Sequence, residues 1–141
     1  MAEKFTNYLV SANYASNRTI TIVPQQGASL TTSEAGVISA AGSRTGGSTE
    51  QLHSIYLTKS NVTSVVQNPE SQGVILSVFV YDSTNNKEYY LAKAINVLPN
   101  SSFYIEKTIT LRPQDALKIK FHSCADSSAI IDSVCSGVDL T

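Results

Sequence analysis

With 141 residues, the chain is long enough to form one domain that removes roughly two-thirds of its unfolded surface from water. Charged residues make up 15% of the sequence, against about 25% in an average soluble domain, and the net charge is −1 with scattered basic residues. Nucleic acid is therefore not expected as a partner. No apolar run reaches the ~18 residues that cross a bilayer, and the beginning MAEKFTNYLV lacks a signal-peptide pattern. We therefore expect no membrane partner, synthesis in a cytoplasm and no export by the usual route.

The first predicted element is a strand at residues 18–23, where RTITIV places Ile20 and Ile22 on one face. A stretch rich in Gly, Ser, Ala and Thr follows at residues 25–50, and it predicts a long loop or arm with one short strand at about residues 36–40. A long loop in a compact domain is usually functional, disordered or ordered by a partner. We expect this one to be mobile in the isolated protein and to lie, once assembled, against a neighbouring subunit or the surface beneath. Its candidate anchors are apolar: Leu30, Val37 and Ile38.

Regular alternation resumes after this loop with a predicted strand at residues 52–58. The next segment, VILSVFVY at residues 74–81, is apolar on both faces, which indicates a central strand covered on two sides. The turn DSTNNK follows, rich in the Asp and Asn residues that tolerate left-handed backbone, and a strand at residues 88–97 pairs back.

The last third of the chain alternates in the same way. Residues 103–111 are predicted as one strand, and the turn RPQD after it has Pro113 at its second position. In the strand ALKIKF at residues 116–121 the apolar side chains point inward and the two lysines outward, and segments 128–134 and 137–141 close the chain. The pattern predicts a single all-β domain over residues 1–141, an antiparallel β-sandwich of jelly-roll type with seven or eight short strands.

The two cysteines, Cys124 and Cys135, lie on either side of a predicted hairpin turn near Asp126. In such a hairpin their Cα atoms would be well beyond the ~7 Å that a disulfide tolerates. We therefore expect free thiols in a reducing compartment.

Residues suited to catalysis do not cluster in the sequence. The two histidines, His53 and His122, are far apart and lack the spacing of a metal site on one strand face. The sequence contains no nucleophile or phosphate-loop motif, and most carboxylates fall in predicted turns or on outward strand faces. We therefore expect neither an enzyme nor a bound cofactor or metal.

Tyrosine occurs seven times, whereas tryptophan is absent. Tyrosine is favoured in strands and at subunit interfaces, and it also forms platforms for sugars. An interface role is the preferred interpretation, with sugar binding as the alternative. The tyrosines chosen as candidate interaction residues are Tyr56, Tyr90 and Tyr104.

The segment EYYLAKAINVLPNSSFYIEKTITLRPQDALKIKF, residues 88–121, resembles a group of small virion proteins of tailed bacteriophages. The shared features are a YYLAK strand, a P-x-x-S-S turn, an alternating strand, and a Pro-containing, Asp-ending turn that leads to an LKI strand. HSIYLT at residues 53–58 and the ending GVDLT are similar too, so the resemblance covers roughly residues 52–141.

The resemblance implies a non-enzymatic structural component of the virion, either a capsid decoration or stabilising protein or a component attached to the neck or tail. The implied partners are copies of itself, possibly in a trimer, and the major capsid or neck and tail proteins. The alternative is a receptor-binding or carbohydrate-binding module of a phage fibre.

Overall fold

The computed structural model describes residues 3–44, 49–61 and 72–140, and within them the chain forms ten β-strands. The strands are β1 (Glu3–Asn13), β2 (Thr19–Val23), β3 (Val37–Ala41), β4 (Thr49–Lys59), β5 (Val74–Asp82), β6 (Lys87–Val97), β7 (Ser102–Ile105), β8 (Ile109–Leu111), β9 (Asp115–Ser123) and β10 (Ile130–Leu140). The predicted all-β class is confirmed. The predicted number of strands is too low, because β1 has no predicted counterpart and residues 103–111 form two strands.

Two antiparallel sheets make up the sandwich. In the described residues the larger sheet has six strands, in the order β3-β1-β10-β4-β7 with β8 also paired to β4. The smaller sheet has four, in the order β2-β9-β5-β6. The predicted β-sandwich is confirmed, but the predicted hairpin around Asp126 is wrong. Its two strands, β9 and β10, belong to different sheets, and the turn carries the chain across the sandwich.

The inner faces of the two sheets enclose the hydrophobic core. On β9 the predicted orientation is confirmed, since Leu117, Ile119 and Phe121 are buried while Lys118 and Lys120 remain partly exposed on the outer face. The Phe121 ring also meets the Tyr14 ring edge to face, with centroids 5.6 Å apart.

Strand β5 lies between β9 and β6, which confirms the predicted central strand. Its inward side chains join the core, and Phe79 on its outer face is only 1% exposed. The Phe79 ring is covered by Tyr90 of β6, with ring centroids 5.5 Å apart. The second apolar face of β5 is thus covered within the protein.

The tight turns follow the predicted chemistry. Asn86, at the end of the β5–β6 turn, has φ 50°, a left-handed conformation that asparagine tolerates. In the turn that contains Pro113, the Asp115 amide donates a hydrogen bond of 3.0 Å to the Arg112 carbonyl.

The turn before β10 is organised by the Asp126 carboxylate. The Asn61 side chain donates to it at 3.0 Å, and Ser128 donates through its hydroxyl and its amide. Lys59 adds an ion pair of 3.3 Å. These hydrogen bonds, that of Asn61 first, hold the pKa of Asp126 far below its usual range.

The Gly- and Ser-rich segment is folded onto the sandwich over its described part, residues 25–44. The short strand predicted at about residues 36–40 is confirmed as β3, which pairs with β1. The Glu34 carboxylate accepts a hydrogen bond of 2.8 Å from the Thr21 amide and so caps the edge strand β2. Residues 45–48, the rest of the predicted loop up to β4, lie outside the described residues.

Both cysteines are free, as predicted. Cys135 is buried in the core, and this burial raises the pKa of its thiol to about 12. Such a thiol stays protonated and behaves as a small apolar side chain.

Candidate interaction surface

An exposed apolar row crosses the outer face of the larger sheet. In the strand register Leu9 of β1 lies opposite Val134 of β10, Val134 lies opposite Tyr56 of β4, and Tyr56 lies opposite Tyr104 of β7. Directly opposed residues of neighbouring strands point to the same face, so these four side chains are contiguous. Leu9 is 44% exposed, Val134 42% and Tyr104 57%, while Tyr56 stacks on Tyr104 with ring centroids 5.9 Å apart. We call these four residues the apolar row.

Polar side chains form a row on each side of the apolar row. One flanking row consists of Ser11, Asp132, Thr58 and Ser102, and the other of Asn7, Ser136 and Ser54. Most of these groups are hydrogen-bonded to each other. The Ser11 hydroxyl donates to Asp132 at 2.6 Å, the Thr58 and Ser102 hydroxyls are 3.2 Å apart, and the Ser136 hydroxyl donates to Asn7 at 2.9 Å. Of these seven side chains only that of Asp132 carries a charge.

Two shallow grooves follow the first flanking row. One, with a volume of about 300 Å³, runs beside Leu9, Asp132 and Val134. The other, of about 330 Å³, lies at the opposite edge of the sheet and is lined by Thr58, Asn100 and neighbouring serines. The surface is therefore gently corrugated rather than deeply pocketed, which suits a broad contact better than a small enclosed ligand.

The predicted interaction residues do not all lie on this surface. Tyr56 and Tyr104 are brought together in the apolar row, whereas Tyr90 lies on the outer face of the smaller sheet. Leu30 and Val37 are half-buried and pack against the protein's own core, which leaves Ile38 as the exposed member of that predicted set.

Leu9 and Val134 were not predicted as interaction residues. Each lies in a strand whose apolar residues break simple alternation, so neither stood out in the sequence. The register of a strand against its neighbours is the signal that identifies them, and it is visible only in the structure.

The outer face of the smaller sheet has a different character. The Lys118 ammonium lies 4.8 Å from the centre of the Tyr81 ring, and that of Lys93 lies 4.9 Å from the Tyr90 ring. Lys120 projects from the same face two residues along β9. This face is basic and aromatic, in contrast to the nearly uncharged rows of the larger sheet.

A cleft of about 380 Å³ separates the Gly- and Ser-rich segment from the smaller sheet. Leu30, Glu34, Tyr81 and Lys118 are among its lining residues. The two charged groups are already held, Glu34 by the Thr21 amide and Lys118 by the Tyr81 ring.

A cluster of polar side chains is buried at one end of the sandwich. Arg44 is fully buried and donates to the backbone carbonyls of Pro24 at 3.0 Å, Asp115 at 2.9 Å and Arg112 at 3.2 Å. It thereby ties the Gly- and Ser-rich segment to the ends of the smaller sheet. Glu50 is fully buried as well and accepts a hydrogen bond from the Tyr8 hydroxyl.

Charges within this cluster affect one another. Burial raises the pKa of the Glu50 carboxyl, and the neighbouring Asp139 raises it further, whereas the Arg44 charge opposes the shift. Burial first, and then Glu50, raise the pKa of Tyr8, so its hydroxyl remains a hydrogen-bond donor. Because Arg44, Glu50, Tyr8 and Asp139 are all fully buried, a dissolved substrate cannot reach them in this conformation.

Within the described residues, no group of three or more His, Cys, Asp or Glu side chains suited to holding a metal ion comes together. Nor does this part of the chain contain a helix that is long and apolar enough to cross a membrane.

No family model matches the sequence, and no curated protein matches it. Among solved structures, a chain from the structure of infectious bursal disease virus Gx strain is similar, with a TM-score of 0.41 and 14% sequence identity. The similarity covers 97% of this chain and 31% of that chain, so this protein spans less than a third of that chain's length. At this level of similarity no function is transferred.

Proposed function

We propose that the protein is a non-enzymatic structural component of a tailed-bacteriophage particle, located in the virion as a capsid decoration protein or as a part attached to the neck or tail. The observation that carries this proposal is the apolar row. Soluble proteins that work alone rarely leave apolar side chains exposed side by side across a whole sheet, and such patches are typical of contact surfaces. The resemblance of residues 52–141 to small virion proteins of tailed phages supports a phage particle as the assembly in question.

The distribution of reactive groups supports a role in assembly rather than catalysis. Catalytic groups with shifted pKa values normally face a cleft that the substrate can enter. Here Arg44 and Glu50, two groups whose pKa values burial shifts, lie inside the protein. The Asp82 carboxyl, whose pKa is lowered mainly by the Asn85 side chain, is held in the β5–β6 turn and in an ion pair of 3.0 Å with Arg112.

The proposal is tested by locating the chain. Particles of the virus that encodes it would be purified on a density gradient, analysed by mass spectrometry and imaged by cryo-EM. We expect the chain in a fixed number of copies per particle, with density for the sandwich on the head, neck or tail and with the apolar row covered. Particles that lack the chain, from infected cells that contain it, would refute the proposal. A chain present in particles with the apolar row facing solvent would refute the assignment of the surface.

A second candidate function is glycan binding, as in a receptor-binding module of a fibre. The observation that favours it is the stacked pair of Tyr56 and Tyr104, beside the groove lined by Thr58 and Asn100. Aromatic faces next to hydroxyl and amide groups suit the apolar and polar sides of a sugar ring. Under this function, Tyr104→Ala would abolish binding of the host surface polysaccharide in calorimetry, and Tyr90→Ala on the other sheet would not.

A further inference from the structure

We infer that a second copy of this chain covers the outer face of the larger sheet, with the two apolar rows packed against each other around a twofold axis. This inference rests on the proposed function, because it names the partner of the surface assigned there. The axis lies in the plane of the interface and passes near Val134. Four properties of the surface support this arrangement: its hydrogen bonding, its charge, its size and its symmetry.

Hydrogen bonding on the face favours a protein cover over a sugar. Covering a polar group is costly when it loses water without gaining a partner. In the flanking rows, however, Ser11 is bonded to Asp132, Thr58 to Ser102, and Ser136 to Asn7. These groups keep their partners when water is displaced. The same pairing leaves fewer free donors and acceptors for a sugar, whose hydroxyls need them.

Charge makes the face compatible with a copy of itself. In an isologous contact each group of one copy meets the same surface of the other, so a charged face repels its own copy. The outer face of the smaller sheet would do so, because Lys93, Lys118 and Lys120 project from it and only one carboxylate, that of Glu88 beside Tyr90, offsets them. The apolar row and its flanking rows contain one charged residue, Asp132, which is half-buried and bonded to Ser11. One further carboxylate, that of the exposed Glu106, borders the row and is hydrogen-bonded to the Tyr56 hydroxyl.

The size of the face meets the requirement of a stable dimer. Strands β1, β4 and β10 have 11 residues each. The edge strands β3, β7 and β8 are shorter, with 5, 4 and 3 residues, so the sheet has 45 strand residues, each of which covers about 3.3 by 4.8 Å of its face. The flat area of about 700 Å² is close to the ~800 Å² per partner of a standard interface. Two sheets of this kind pack at ~10 Å in an aligned sandwich.

Symmetry places Val134 at the centre of the contact. Its strand, β10, is the middle strand of the order β3-β1-β10-β4-β7, and Val134 is close to the middle of that strand. A twofold axis over the centre of the face therefore brings the two copies of Val134 together. Substitutions at this position act on both sides of the interface at once.

The test measures the oligomeric state of the purified full chain by sedimentation velocity and light scattering. We expect the unmodified protein to form dimers at about 100 µM chain. Val134→Lys places two like charges at the centre of the contact, and should weaken the dimer at least ~100-fold. Val134→Glu should do the same, while an equimolar mixture of the two variants should dimerise again, since opposite charges then meet. Thr84→Lys, at an exposed position in the β5–β6 turn of the smaller sheet, is the matched control and should leave the dimer unchanged.

Each possible result either supports or overturns the inferred dimer. A second variant, Leu9→Lys, tests the same row if Val134→Lys unfolds, as judged by circular dichroism. A monomer at all concentrations, a trimer, or a dimer that persists in both lysine variants would overturn the inference. A monomer that is nevertheless present in purified particles would overturn only the second copy as the partner, and would leave the proposed function standing. If the chain forms dimers but is absent from particles, the proposed function would be refuted and the inferred dimer would stand.

Discussion

Replacing Arg44 with methionine is expected to destabilise the sandwich strongly. Methionine replaces the aliphatic part of the side chain, but it lacks the guanidinium and cannot donate to the carbonyls of Pro24, Arg112 and Asp115. An unsatisfied buried polar group costs about 1–3 kcal/mol, and removing one charge from a buried polar network costs about 3–5 kcal/mol. Because some of the carbonyls can recover a hydrogen bond from water, we expect a loss of about 4 kcal/mol in the free energy of unfolding.

The size of this loss should depend on pH. The pKa of Glu50 is raised in the folded protein, so the folded state binds more protons than the unfolded state above the ordinary pKa of glutamate. Stability from this group is therefore present below that pKa and is lost as the pH rises through the folded pKa. The Arg44 charge limits the shift, so its removal raises the pKa of Glu50 further. The difference between Arg44→Met and the unmodified protein should therefore be larger at a mildly alkaline pH than at a pH near the ordinary pKa of glutamate.

Urea unfolding followed by far-UV circular dichroism measures the effect, since the chain has no tryptophan to serve as a fluorescent probe. Arg18→Met is the control, because Arg18 is half-exposed and donates one hydrogen bond, of 3.1 Å, to the Asn13 carbonyl. The control should lose less than ~1 kcal/mol. If Arg44→Met were as stable as the control at both pH values, the cluster would contribute little and the reasoning would be refuted.

Three further outcomes are expected from the same unfolding assay. Phe121→Ala should cost ~3–5 kcal/mol because it empties a fully buried site, whereas Lys120→Ala should cost little, and equal effects would contradict the orientation of β9. Gly137→Ala should lower the free energy of unfolding by ~1–3 kcal/mol, since the added Cβ would lie 2.8 Å from the Gln51 carbonyl oxygen. An unchanged urea midpoint would show that β4 can shift to make room for the methyl group. The depressed pKa of Asp126 means that its contribution is present above the ordinary pKa of aspartate and is lost as the pH falls below it, so the deficit of Asp126→Asn should shrink below about pH 4. A deficit that stays constant down to about pH 2 would argue against that contribution.

Much of the smaller sheet could be predicted from the sequence, because its strands obey simple rules. From Leu117 to Phe121 in β9 the apolar and charged side chains alternate, and the apolar face is buried. The β5–β6 turn contains the Asp and Asn residues that its backbone requires, with Asn86 in the left-handed region. Local sequence and tertiary environment agree at these positions, so the local pattern was sufficient.

The buried polar cluster could not be predicted in the same way. Arg44 stands in a Gly- and Ser-rich stretch, where a charged residue normally indicates a solvated loop. Its burial depends on carbonyls supplied by Pro24, Arg112 and Asp115, which are distant in sequence. Glu50, at the end of the same stretch, is buried against Tyr8 of β1, a strand with no predicted counterpart. Contacts between distant segments carry no local signal, so both residues were assigned to a loop.

The strands that carry the centre of the proposed interface were also the ones that the sequence predicted least well. In β1 the inward residues Tyr8 and Val10 flank Leu9, and this outward apolar residue hides the alternation. In β10 the outward Val134 stands between inward Ser133 and Cys135, and the strand was divided into two segments there. On an isolated sandwich, solvent-facing strand positions are normally polar, and the alternation of apolar and polar residues would then have identified these strands in the sequence. The exposed apolar residues that obscure the strands are the same ones that a partner would cover, so the failed predictions and the proposed interface have one physical cause.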